Sequence, residues 1–201
     1  MGGPRAAVLH RLEADRILPK PQALLVTGLA GACGPDLRTG DVIVGHPVAA
    51  PSAALDDDSG DPALRRRAVR ALESARLRYQ VGRLLTVDEV ATTPAAKAKW
   101  SQARGALAVD MESAHVLAWA RRAGLPAVAV RAIMDGLEDE VPHDLLRAVG
   151  PDGRMRAWAA AGFLGRPALL PAAWRLGRRS HRALGSLARF IRAFVAESGE
   201  P

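Results

Sequence analysis

The apolar positions of this chain fall into short continuous runs separated by longer amphipathic stretches. Ala23 to Thr27, Val42 to Val44, Ala106 to Val109 and Ala127 to Ile133 are runs of the length and composition of strands buried on both faces. Tyr79 to Val87 alternates in part and reads as a further strand. Between these runs the spacing predicts helices. One covers Pro4 to about Leu18, with proline well placed at its start. Another covers Pro62 to about Arg76, with arginines on its outer face. A third begins after Thr93, which can cap it, and runs through Lys97 and Lys99. A fourth covers about Met111 to Ala123, with Gly124, Leu125 and Pro126 as its stop signals. Strands alternating with helices predict an α/β fold.

The stretch from Ala106 to Asp135 organises the rest, because it reads strand, helix, strand. A crossover of that length predicts two parallel, neighbouring strands. Ligands of such sheets bind beyond the carboxyl ends of the strands, which is where Asp110, Glu112 and Asp135 lie. Local chemistry leaves two readings open. Asp110 can cap the helix and Glu112 can sit favourably in its first turn. Alternatively, Glu112 and Asp135 work together. A carboxylate accepts from two adjacent sugar hydroxyls at once, and a carboxyl kept protonated by partial burial donates a proton to a leaving group.

The other polar clusters carry less. Gly28-Leu-Ala-Gly31-Ala-Cys-Gly34 closes the first strand and lets a ligand approach the backbone. Its spacing is not the dinucleotide fingerprint, and no acidic residue follows at the required place. His46 stands at the end of the Val42 strand without a partner motif. Asp56, Asp57 and Asp58 repel one another and lack the spacing of a calcium loop, so they read as a solvated loop. Glu138, Asp139 and Glu140, in the polar loop after Asp135, read the same way.

Composition bounds the setting. A chain of 201 residues, 49% of them hydrophobic, can bury a sizeable core. No apolar run approaches the ~20 residues of a membrane span, and the start lacks the apolar segment of a signal peptide. Cys33 is the single cysteine, so no disulfide framework exists and it reads as a packing residue. These features point to the cytoplasm. The net charge of +7 is uneven: from Pro151 onward nine arginines face Asp152, Glu197 and Glu200, so this quarter carries +6 of it. That divides the chain into residues 1–150, a catalytic α/β domain, and residues 151–201, a basic helical extension. From Ala172 to Glu197 a helical wheel places Ala173, Leu176, Leu184, Leu187, Ile191 and Phe194 opposite Arg175, Arg178, Arg179, Arg182, Arg189 and Arg192. Such a helix can dock on the core or lie at a membrane interface. Nucleic acid is a poor partner, because no recognition motif and no interleaved aromatics accompany the charge.

The motifs Ala108-Val-Asp-Met-Glu-Ser113 and Val128-Ala-Val-Arg-Ala-Ile-Met-Asp135, in order and at this separation, resemble the nucleoside phosphorylase and nucleosidase superfamily. Asp152 to Arg156, Gly165 to Pro171 and Trp174 to Leu187 resemble its hopanoid-associated branch. The resemblance implies a three-layer phosphorylase-like fold, a mixed central sheet flanked by helices. It implies that Met111 packs on a ribose face, that Glu112 grips the 2′ and 3′ hydroxyls, and that Asp135 is the general acid. Gly28, Ala30 and Gly31 would line the substrate site. Leu29 stands where a serine that helps hold phosphate or water is common, although the hopanoid branch usually lacks it. The implied reaction is cleavage of adenosylhopane to adenine and ribosyl-hopane, with phosphate as co-substrate and with neither metal nor cofactor. The superfamily commonly pairs subunits around the site, so a homodimer is one open arrangement. A lipid-bearing substrate gives residues 172–197 a motive for peripheral membrane contact, as the alternative to docking on the core. One or two strands of the superfamily would precede Met1. The expectation is therefore a chain short at its N-terminus, with Gly2, Gly3 and Arg5 keeping a piece of the phosphate cradle. Two rivals are a hydrolytic nucleosidase acting on methylthioadenosine or adenosylhomocysteine, and a non-catalytic binder of a lipid nucleoside.

Overall fold

The structure, a computed structural model, describes residues 21–51, 59–141 and 170–197. Five strands are seen there: β1 (Leu24–Ala32), β2 (Val42–Ala49), β3 (Tyr79–Thr86), β4 (Ala108–Asp110) and β5 (Ala127–Asp135). Four helices accompany them: α1 (Pro62–Ser74), α2 (Pro94–Arg104), α3 (Ser113–Arg122) and α4 (Leu170–Ala196). The expected helix over Pro4 to Leu18 and the acidic loop Asp56 to Asp58 lie outside the described residues.

The strands form one mixed sheet that closes on itself in the order β1-β4-β3-β2-β5. β1 is parallel to β5, β2 to β3, and β3 to β4; β1 meets β4, and β2 meets β5, antiparallel. Sheet alternation then sorts the side chains. Ala129, Ile133 and Ile43 face one core together with Ala114, Val116, Leu117 and Ala120 of α3. Val128, Val130, Val42 and Val44 face the opposite core with Ala68, Ala71 and Leu72 of α1 and Phe190 and Phe194 of α4. Both faces of the sheet are covered, which is why its strands read as unbroken apolar runs.

The helix boundaries follow their caps. Asp61 accepts from the Leu64 amide at 2.8 Å, with Pro62 beginning α1. Thr93 accepts from Ala96 at 3.2 Å, and Gly105, at φ 62°, closes α2. Asp110 starts α3 by accepting from the Ser113 amide at 3.1 Å.

Several expectations are corrected. The strands flanking α3 are parallel neighbours in the sequence reading, but β1 lies between them. β1 passes a register shift at Ala30/Gly31, and its last residues, Gly31 and Ala32, pair with Val109 and Ala108. A crossover's length limits where the chain can return; it does not say how many strands are skipped. His46 lies inside β2, which runs on to Ala49 through a register shift between Gly45 and Val48. Its ring Nδ1 is 3.2 Å from Arg65. Asp139 is half-buried and not simply solvated. It accepts from the Gly136 amide at 2.8 Å and pairs with Arg179 of α4 at 2.6 Å.

The C-terminal helix docks on the core, along a stripe one step away from the wheel's. Ala183, Ser186, Leu187, Phe190 and Phe194 are buried, whereas Leu184 and Ile191 face outward. The anchor is the aromatic pair Phe190–Phe194, with ring centroids 5.6 Å apart and the Arg67 guanidinium 4.0 Å above the Phe194 ring. Phe190→Ala should therefore lower the unfolding free energy by about 3–5 kcal/mol. Ile191→Ala, its outward neighbour, should cost less than about 1 kcal/mol. Urea denaturation measures both; equal losses would show that the helix is docked on another face.

Candidate active site

A cavity of about 310 Å³ opens where β1, β3, β4 and β5 end. That volume is at the lower end of the ~300–1,000 Å³ usual for small-molecule sites. Its wall is mostly apolar: Leu29 and Ala30 from β1, Val87, Val90 and Ala91 after β3, Val109 from β4, and the side chains of Met111 and Met134. Four charged groups break this wall: Asp110, Glu112, Arg131 and Asp135.

The sheet's period of two explains where these groups point. Arg131 and Asp135 lie on the same face of β5 as Ala127, Ala129 and Ile133, the face covered by α3. Arg131 thus enters the core as a cation and is satisfied there by three oxygens. One Nη is 2.6 Å from Asp110 and 3.6 Å from Glu112, and Nε donates to Ser113 Oγ at 3.0 Å. Asp110 also accepts from Thr86 Oγ1 at 2.6 Å. A buried charge is tolerated when it is paired and hydrogen-bonded in this way.

The site residues expected from sequence separate into three groups. Met111, Glu112, Ala30, Gly31 and Asp135 come together around the cavity. Gly28 is not in its wall; it lies beneath the Arg131 guanidinium, where a Cβ would come within 1.9 Å of Nη1. Gly2, Gly3 and Arg5 lie outside the described residues. The sequence reading missed Arg131, although an arginine inside an apolar strand was the visible signal. It also missed Lys97, whose buried Nζ is 2.5 Å from Asp135 Oδ2.

The two acids of the cavity have different surroundings. Glu112 has 29% of its side chain exposed, while Asp135 has 6%. Burial raises the Asp135 pKa above the ordinary carboxylate value; Lys97 opposes this, as does Arg179, while Asp139 adds to it. A carboxyl so placed retains its proton to a higher pH than a surface aspartate does. Cys33, buried close by, has its thiol pushed up to about 12 and stays neutral. Among the described residues no group of three or more His, Cys, Asp or Glu side chains could hold a metal ion.

Comparison with known proteins gives the chain's family. Residues 1–161 match the Phosphorylase superfamily. The chain belongs to that superfamily. A curated relative, the aminodeoxyfutalosine nucleosidase of Campylobacter jejuni, is 28% identical over 137 residues, 61% of this chain and 60% of that protein. The phosphorylase-superfamily chain described here thus spans about three-fifths of that relative's length. Among solved structures, the futalosine hydrolase of Helicobacter pylori superposes with a TM-score of 0.68 at 15% identity, over 96% of this chain and 74% of that one. The 5′-methylthioadenosine/S-adenosylhomocysteine nucleosidase of Neisseria meningitidis gives 0.65 at 17%, over 95% and 73%. That of Campylobacter jejuni gives 0.57 at 26%, over 70% and 68%.

The contact between Gly28 and Arg131 gives a direct check on the site's foundation. Arg131 is held by Asp110 and Ser113 and cannot swing aside without leaving Asp110 buried and unpaired. Gly28→Ala should therefore destabilise the protein by about 1–3 kcal/mol, and the same change should cost less in a chain that already carries Arg131→Met than in the wild type. Chemical denaturation of the wild type, the two single variants and the double variant decides; a neutral Gly28→Ala would mean that the guanidinium is free to move.

Proposed function

We propose that this chain cleaves the N-glycosidic bond of a purine nucleoside, with water as the nucleophile. The observation that carries the reading is that a buried carboxyl of raised pKa, Asp135, and a more exposed carboxylate, Glu112, face one apolar cavity. The acid protonates the departing purine at N7 as the C1′–N9 bond breaks. Glu112 accepts from the 2′ and 3′ hydroxyls and fixes the sugar, while Met111 packs against its face. The bond's electron pair leaves with the base, and the oxocarbenium-like ribose is met by the nucleophile from the other side. Leu29, Val87, Val90 and Ala91 give the cavity an apolar rim suited to a 5′ substituent without charge. Hydrolysis is supported by the similar proteins named above, which are nucleosidases or a hydrolase.

A second reading keeps the same residues and changes the partners: phosphate attacks adenosylhopane, releasing adenine and leaving ribosyl-hopane. Its support is the sequence resemblance between Asp152 and Leu187. The outer side of α4 adds to it, because Trp174, Leu184, Ile191 and Val195 are exposed among Arg175, Arg178, Arg182 and Arg192. An apolar stripe flanked by arginines suits an anionic lipid surface, where each arginine contributes about 1 kcal/mol. Among the described residues no helix is long and apolar enough to cross a membrane.

The test is release of adenine from methylthioadenosine and from adenosylhopane, each with and without phosphate. Phosphate-independent release from methylthioadenosine is the expected result. Strictly phosphate-dependent release from the lipid nucleoside alone would replace hydrolysis by the second reading. Asp135→Asn should lower kcat by about 10²–10⁴. Glu112→Gln should act mainly on nucleosides that carry a 2′ hydroxyl and much less on a 2′-deoxy analogue. Equal losses on both analogues would make Glu112 a helix-end residue and remove its ribose role.

A further inference from the structure

Lys97 has no part in the chemistry as described above, yet its surroundings are those of a built group. It is the buried residue of α2, with a side chain fully removed from solvent. Its ammonium has three donors, and each has an oxygen: Asp135 Oδ2 at 2.5 Å, the Gly136 carbonyl at 2.7 Å and the Asp139 carbonyl at 2.7 Å. A helix position that needed only packing would take leucine or methionine, because an ammonium must be desolvated to enter the core. Two of its three partners belong to the loop that follows Asp135. That loop is closed by the Gly136 amide on Asp139 and by Arg179 of α4 on the same carboxylate.

We propose that Lys97 is the positioning residue of the active-site acid: its clamped ammonium holds Asp135 Oδ2, leaves Oδ1 as the proton-carrying atom towards the cavity, and stabilises the carboxylate that remains once the proton has gone. This rests on the reading of Asp135 as the acid. The electron pair of the C1′–N9 bond passes to the purine, the proton passes from Oδ1 to N7, and the negative charge left on Asp135 stays against Lys97. While Asp135 is protonated, the two loop carbonyls keep the ammonium solvated. The Lys97 ammonium meets the Asp135 carboxylate at Oδ2. Every charged group packed near it takes part: Lys97 from α2 and Arg179 from α4 favour the carboxylate, and Asp139 of the loop opposes it. Cys33, at the end of β1, is neutral.

The experiment is a carbon-13 NMR titration of the Asp135 carboxyl in the ligand-free full chain, its signal assigned by loss in Asp135→Asn. Adenine release from methylthioadenosine is followed over the same pH range. Lys97 lowers the Asp135 pKa, so Lys97→Met should raise the NMR midpoint by about 1–3 pH units. The high-pH limb of kcat, where the acid loses its proton, should move up equally. kcat should fall about 10²-fold while KM stays as in the wild type, and Lys97→Arg should return the midpoint towards its original place. Should Lys97→Met fail to melt cooperatively, Lys97→Gln, which keeps donors for the carbonyls without the charge, should give the same upward shift. A midpoint that does not move in the neutral variants overturns the proposal. A wild type that releases no adenine overturns the cleavage reading instead, and the titration still judges Lys97.

Discussion

The structure depends most on the buried pair between Arg131 and Asp110. Arg131 comes from the middle of β5 and Asp110 from the end of β4, strands that are not neighbours in the sheet. β1 runs between them, and only a glycine at position 28 leaves room for the guanidinium to pass. Asp110 also receives Thr86 of β3 and the amide that opens α3. One ion pair therefore fixes β1, β3, β4, β5 and α3 relative to one another. Removing one partner of such a pair costs about 3–5 kcal/mol, because the other charge is left buried. The cavity lies directly above it, so the floor of the site and the junction of the sheet are the same atoms.

On that floor the two carboxyls of the cavity, Glu112 and Asp135, differ in environment. Glu112 sits at the mouth, beside Arg131 and partly in solvent, suited to accepting from hydroxyls. Asp135 sits in the wall, where burial raises its pKa and Lys97 opposes the rise. Under the proposed cleavage, this difference in surroundings assigns acid work to Asp135 and binding work to Glu112. The basic C-terminal helix is joined to this arrangement. Its Phe190 and Phe194 seal the sheet's second face, and its Arg179 reaches Asp139 in the loop that clamps Lys97.

Much of this was legible in the sequence. The apolar runs marked the strands, Pro62, Thr93 and Gly124 marked helix ends, and Met111, Glu112 and Asp135 stood out by chemistry and by motif. What stayed hidden depends on distant parts of the chain. Lys97 looks like any lysine on an amphipathic helix until the Gly136–Asp139 loop folds onto it. The insertion of β1 between β4 and β5 rests on the pairing of Gly31 and Ala32 with Val109 and Ala108, which no residue pattern announces. The docked face of α4 was displaced because a wheel counts bulky apolar residues. The contact instead uses Ala183 and Ser186 beside the two phenylalanines, leaving Leu184 and Ile191 outside.

The central claim is that Glu112 and Asp135 hold the two ends of one purine nucleoside above the Arg131–Asp110 floor. A crystal structure of the chain with a non-cleavable adenosine analogue tests it most directly. The account predicts the ribose hydroxyls within hydrogen-bonding distance of the Glu112 carboxylate, N7 of the base within reach of Asp135 Oδ1, and Lys97 still on Oδ2. A purine bound away from Asp135, or a Glu112 carboxylate turned wholly onto Arg131 with the ribose elsewhere, would contradict it.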